Sequence, residues 1–116
     1  MADKFLADRT ALVTGGSRGI GRAIALKLAE SGAKVAVNFA GNFAKAQEVQ
    51  AEIESLGGEV MLVQGDVSNF ETVSEIVKKI VDAWGRLDIL VNNAGIARDN
   101  LLLKMSEADF DAVIAT

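Results

Sequence analysis

Short apolar runs alternate with longer amphipathic segments along this chain, and that alternation predicts a parallel sheet covered by helices. The first run is Ala11–Val13. The segment after it opens near Gly19 and carries Ile20, Ala23, Ile24 and Leu28 at helical spacing, until Gly32 stops it. Lys34–Phe39 reads as a second strand, apolar from Val35 except at Asn38. Asn42 is placed to cap a second helix that aligns Ala46, Val49, Ile53 and Leu56 and ends at Gly57-Gly58. Val60–Val63 is the third strand. Ser68 and Glu71 stand at capping-box spacing ahead of Val73, Ile76, Val77, Ile80 and Trp84, with Gly85 closing that helix. Leu87–Val91 is the fourth strand. A last helix is predicted from near Ser106, through Phe110, Val113 and Ile114.

Right-handed crossovers and a switch point after the first strand give strand order 3-2-1-4. The expectation is an α/β fold, a three-layer Rossmann-like half with helices on both faces, in a single domain over residues 1–116. The fourth strand is apolar on both faces, as a strand inside a parallel sheet should be. No further strand is predicted beside it, and an open edge invites pairing. Self-association into a homo-oligomer is therefore expected, through Leu87–Val91 or the last helix.

Composition narrows the chemistry. Half of the 116 residues are hydrophobic, 24% are charged and the net charge is −4, which fits a globular domain and disfavours nucleic acid or anionic membrane as partner. The chain has no Cys and no His, so disulfides, thiolate chemistry, Cys/His zinc sites and imidazole catalysis are excluded, and no metal site is expected. No apolar run reaches membrane-spanning length and no signal peptide is legible, so a cytoplasmic location is expected.

The candidate site is the loop Thr14–Gly21, which follows a strand and opens a helix. Gly15 permits a tight turn, Gly19 lets backbone approach a diphosphate, and Gly21 lets the helix lie close on the sheet. Unpaired N–H groups at the helix start then face the anion. The plainer alternative is a glycine-rich turn that holds nothing.

Three motifs extend this reading. They are Thr14, Gly15, Gly16, Ser17, Arg18, Gly19, Ile20 and Gly21 after the first strand, Asp66-Val67 after the third, and Asn92-Asn93-Ala94-Gly95 after the fourth. Together they resemble the short-chain dehydrogenase/reductases. The wording, including Asn93 to Leu102, is most similar to members that reduce 3-oxoacyl thioesters on acyl-carrier protein. The resemblance covers the whole chain but only about the first half of a member. It implies hydride transfer with a nicotinamide dinucleotide, Asp66 and Val67 against the adenine, and Asn92 to Gly95 beneath the ribose. Asp66 also reads as a simple turn residue ahead of Ser68.

Charge bears on which dinucleotide. NAD-binding members carry an acid at the end of the second strand, where this chain has Asn38. Arg18, inside the loop, offers a planar fork to a 2′-phosphate. NADP is therefore expected over NAD. The resemblance also assigns catalysis to an Asn, a Ser, a Tyr and a Lys. The Asn follows the stretch matching 111–116, and the others belong to a later strand and helix, so no catalytic residue is assigned here. The chain contains no Tyr. Three readings stay open: a reductase fragment inactive by itself, a stand-alone nucleotide-holding module, and a flavodoxin-like receiver with Asp66 as phosphoacceptor. Arg98-Asp99-Asn100 reads as a polar loop, near the substrate entrance and subunit contacts if the resemblance holds.

Overall fold

The computed structural model describes residues 4–17 and 19–93, and the backbone of 112–115. Among the described residues, five strands and three helices follow one another: β1 Thr10–Val13, α1 Gly19–Glu30, β2 Lys34–Phe39, α2 Phe43–Ser55, β3 Val60–Gln64, α3 Phe70–Trp84, β4 Ile89–Asn92 and β5 Ala112–Ala115. The sheet runs β3-β2-β1-β4-β5, with each neighbouring pair parallel. The predicted order of the first four strands holds.

Period-two alternation sends neighbouring side chains to opposite faces, and each face has its own core. Ala11, Val13, Val35, Val37, Ile89 and Val91 pack with Ala25 and Ala29 of α1 and Val49 and Ile53 of α2. Leu12, Ala36, Val63 and Leu90 pack with Val73, Ile76, Val77 and Ile80 of α3. Helices on both faces follow directly.

Four details differ from expectation. In α1 the buried residues are Gly21, Ala25 and Ala29, while Ile24 and Leu28 only flank the core and Ile20 is 69% exposed. Small side chains let the helix lie close on the sheet, a preference that hydrophobic scoring alone ranks below Ile and Leu. At the start of α3 the cap is Asn69, whose side chain accepts the Thr72 N–H at 3.2 Å, because Ser68 is engaged with Asp66. Leu56 forms the C-cap of α2 and is exposed rather than core. Finally, residues 112–115 are extended and pair with β4 (Ile89 with Ala112, Asn92 with Ala115), not helical. An apolar, partly β-branched segment suits the bare N–H and C=O groups of a strand edge. The edge of β4 on which self-association was expected to rest thus carries β5. The rest of the expected last helix, from Ser106 to Asp111, lies outside the described residues, as do Arg98-Asp99-Asn100.

Two turn glycines behave as predicted, Gly32 after α1 with φ 105° and Gly85 after α3. Gly85 closes α3 with φ 82°, and its N–H donates to the Val81 carbonyl at 2.7 Å. At the same end of the sheet, where the strands begin, a feature absent from the sequence reading appears. Asp88, 1% exposed, accepts the Thr10 N–H at 2.9 Å and the Arg86 Nε–H at 2.7 and 2.8 Å, with Arg9 at 3.6 Å. A lone acid between Leu87 and Ile89, with two arginines close to the strand starts, was the available signal.

Candidate functional site at the carboxyl ends of the strands

The loop that leaves β1 sits where the strand order reverses, between β2 on one side and β4 on the other. This is the crevice in which open parallel sheets take their ligands. Gly15 and Gly19 both have φ of 61°, a region that favours glycine. Among the described residues a Cβ on Gly19 would meet nothing within 4 Å, so the start of α1 is open on that side. A Cβ on Gly21 would fall 2.2 Å from the Gly15 carbonyl oxygen and 2.7 Å from Asn93 Nδ2. Gly15 and Gly19 thus hold backbone conformations that favour glycine, and Gly21 sits at a close contact between helix and loop.

The loop is held from both flanks. On the β4 side, the Thr14 N–H donates to the Val91 carbonyl at 3.0 Å, and Thr14 Oγ1 accepts the Asn93 N–H at 2.9 Å. Asn93 Nδ2 donates to the Gly15 carbonyl at 3.2 Å. On the β2 side, the Gly16 N–H donates to the Asn38 carbonyl at 3.0 Å, and the Gly15 N–H donates to Asn38 Oδ1 at 3.3 Å. Asn38 Nδ2 in turn donates to the carbonyls of Val63 (3.1 Å) and Gly65 (3.2 Å). Asn38 is 2% exposed and its amide is fully engaged, so it is turned into the protein rather than presented to a ribose. The exposed tip beyond β2 is Ala40 to Phe43, and it carries no carboxylate.

The remaining candidates fall around this loop. Thr14, Gly16 and Ser17 are buried, and Gly15 is half-buried. Ile20, on the first turn of α1, is exposed beside the loop. Asp66 is exposed past the end of β3, where its Oδ1 accepts the Ser68 N–H at 3.0 Å and the Ser68 hydroxyl at 2.7 Å. The hydroxyl, then the N–H, hold its carboxyl below the usual carboxylate range. Val67 is buried and belongs to the α3-side core, so it supports the rim from beneath. Asn92 is buried at the end of β4. Arg18, Ala94 and Gly95 lie outside the described residues. Among the described residues no group of acids could hold a metal ion, and no helix is long and apolar enough to cross a membrane.

A glycine loop that opens a helix at the switch point of a 3-2-1-4 sheet is the arrangement of dinucleotide-binding α/β folds. The chain belongs to the short chain dehydrogenase family, which it matches over residues 9–116. It is 51% identical over 109 residues to the 3-oxoacyl-[acyl-carrier-protein] reductase FabG of Staphylococcus epidermidis, covering 94% of this chain and 45% of that protein. A 3-oxoacyl-[acyl-carrier-protein] reductase of Synechocystis is likewise 51% identical over 109 residues, at 94% and 44% coverage. The chain thus spans about half the length of the curated relatives it matches. Among solved structures, a short chain dehydrogenase from Burkholderia cenocepacia in complex with NADP is 49% identical, with a TM-score of 0.74 over 78% of this chain and 37% of that one. A metagenomic short-chain oxidoreductase in complex with NADP is 31% identical, with a TM-score of 0.83 over 95% of this chain and 62% of that one.

Proposed function

We propose that this chain forms the NADP(H)-binding part of a cytoplasmic carbonyl reductase that acts on 3-oxoacyl thioesters carried by acyl-carrier protein. The observation that carries the reading is the start of α1: Gly19 at positive φ, open on one side among the described residues, on a loop held from both flanks. Free N–H groups of the first helical turn would receive the diphosphate, with the helix dipole adding to the attraction. Asp66 and Val67 would border the adenine, and Asn92 to Gly95 would lie beneath the ribose. Arg18 would grip the 2′-phosphate through a charge-assisted hydrogen bond. The lack of any carboxylate from Asn38 to Phe43 supports NADP over NAD, since an acid there would repel that phosphate.

When bound, the dinucleotide supplies a hydride; this chain's residues orient it and balance its charge. Proton delivery to a reduced carbonyl needs an acid of suitable pKa close to the reacting oxygen. With neither Tyr nor His in its sequence, the 116-residue chain lacks the usual donors. Binding without turnover is the expected behaviour. Equilibrium titration with NADPH, followed by an NADPH oxidation assay on an acetoacetyl thioester, tests both halves. Reduction at the rate of a complete reductase would refute the second half, and failure to bind NADPH would refute the first.

A further inference from the structure

We propose that Asn38 is a positioning residue that couples the two ends of the nucleotide site, through bonds made inside the protein rather than to the ligand. This rests on the dinucleotide reading above and names a residue that serves that site without touching the nucleotide. The side chain lies at the end of β2, 2% exposed, in a row of otherwise apolar buried residues. A buried amide there is costly unless its polar atoms are matched. All of them are, and the partners belong to the two neighbours of β2. Oδ1 takes the Gly15 N–H from the loop after β1, and Nδ2 gives both its hydrogens to the Val63 and Gly65 carbonyls at the end of β3.

Two backbone bonds run in parallel with the amide. The Gly16 N–H donates to the Asn38 carbonyl at 3.0 Å, and the Gly65 N–H donates to the Phe39 carbonyl at 3.0 Å. Asn38 therefore joins the diphosphate loop to Gly65, the residue immediately before Asp66. Occupation of the β3 end by an adenosine group should tighten the bridge and steady the Gly15 peptide before the diphosphate arrives. A purely apolar residue of the same shape would fill the space and sever the link.

The test uses ¹⁵N-labelled full chain, with amide hydrogen exchange and equilibrium titration for wild type, Asn38→Leu and Asn38→Ala. Asn38→Leu keeps the branched four-atom shape of the side chain, where Asn38→Ala leaves a gap. Exchange at Leu12 and Val35 reports whether the core persists. The expected result for Asn38→Leu is about tenfold faster exchange at Gly15 and about tenfold weaker NADP binding, with Leu12 and Val35 unchanged. Adenosine 2′,5′-bisphosphate, which has no diphosphate bridge, should slow Gly15 exchange in wild type and leave it unaffected in the variant. Unchanged Gly15 exchange, or NADP affinity within twofold of wild type, overturns the proposal. So does a loss of core protection that accounts for the whole change in both variants. A wild-type chain that ignores NADP overturns the dinucleotide reading and the coupling with it. It is told apart from a failure of the bridge by Gly15 exchange without ligand, which needs no nucleotide.

Discussion

Gly21 packs so closely beneath Gly15 that a methyl group on the former would stand 2.2 Å from the carbonyl oxygen of the latter. The neighbour is backbone, already bonded to Asn93 Nδ2, and it cannot swing aside as a flexible side chain would. Gly21→Ala should therefore cost about 1–3 kcal/mol of stability, as overpacking does. NADP binding should weaken with it, because the loop has to lift. Urea denaturation checks the first expectation, and an unshifted midpoint would mean that helix and loop are less tightly packed than described.

The buried carboxylate at the other end of β4 gives a second expectation. Asp88 holds the Thr10 N–H and two arginines, so Asp88→Ala leaves a buried donor and two cations without their shared acceptor. Both arginines are half-exposed and can turn to water, so the main loss is a buried donor left without its acceptor, about 1–3 kcal/mol. Asp88→Asn keeps an acceptor for Thr10 and should lose less. Comparing thermal unfolding of the two variants tests the order, and equal losses would point to charge alone.

Arg18 separates the two cofactors. If it grips the 2′-phosphate, Arg18→Ala should weaken NADP by about ten- to a hundredfold, the worth of a hydrogen bond to a charged group. NAD affinity should hardly change. Parallel titrations decide the matter, and an equal loss for both dinucleotides refutes the role.

Acid should act locally at Asp66. Its carboxyl is held below 3.8 by the Ser68 hydroxyl and N–H. A depressed folded-state value contributes stability that is present above the unfolded value and is lost as pH falls through the folded one. The Ser68 amide resonance should therefore titrate with a midpoint below 3.8. A midpoint at or above that value would show that the turn is not holding the ionised form. Ser68→Ala should bring the midpoint up toward the ordinary value.

Much of the fold was legible because local and long-range signals agree. The α3 stripe of Val73, Ile76, Val77 and Ile80, ended by Gly85, needs only helical periodicity and one left-handed residue to be read. The α1 face was not read correctly, because Gly21, Ala25 and Ala29 are chosen for closeness to the sheet, which hydrophobicity does not measure. The α3 cap shifted by one residue because Asp66 competes for Ser68. Residues 112–115 are a short apolar run, for which helical and extended pairing patterns cannot be separated by spacing.

The site was legible in its parts more than in its wiring. The left-handed turns at Gly15 and Gly19 and the tight contact at Gly21 suit a glycine motif between strand and helix. That Asn38 faces inward, bonded to both neighbouring strands, could not be read from one sequence, since an amide at a strand end fits either direction. Asp88 was visible only as a charge out of place in an apolar run.

Everything converges on the amides that open the first helix, and a nitrogen–proton correlation spectrum recorded during NADP titration examines them directly. Saturable shifts should appear at Gly15 to Gly21 and at Asn93, with smaller ones near Asp66, while the outer face of α3 (Lys78, Asp82) stays still. Shifts that skip the Gly15 to Gly21 amides, or that never saturate, would contradict a nucleotide seated there.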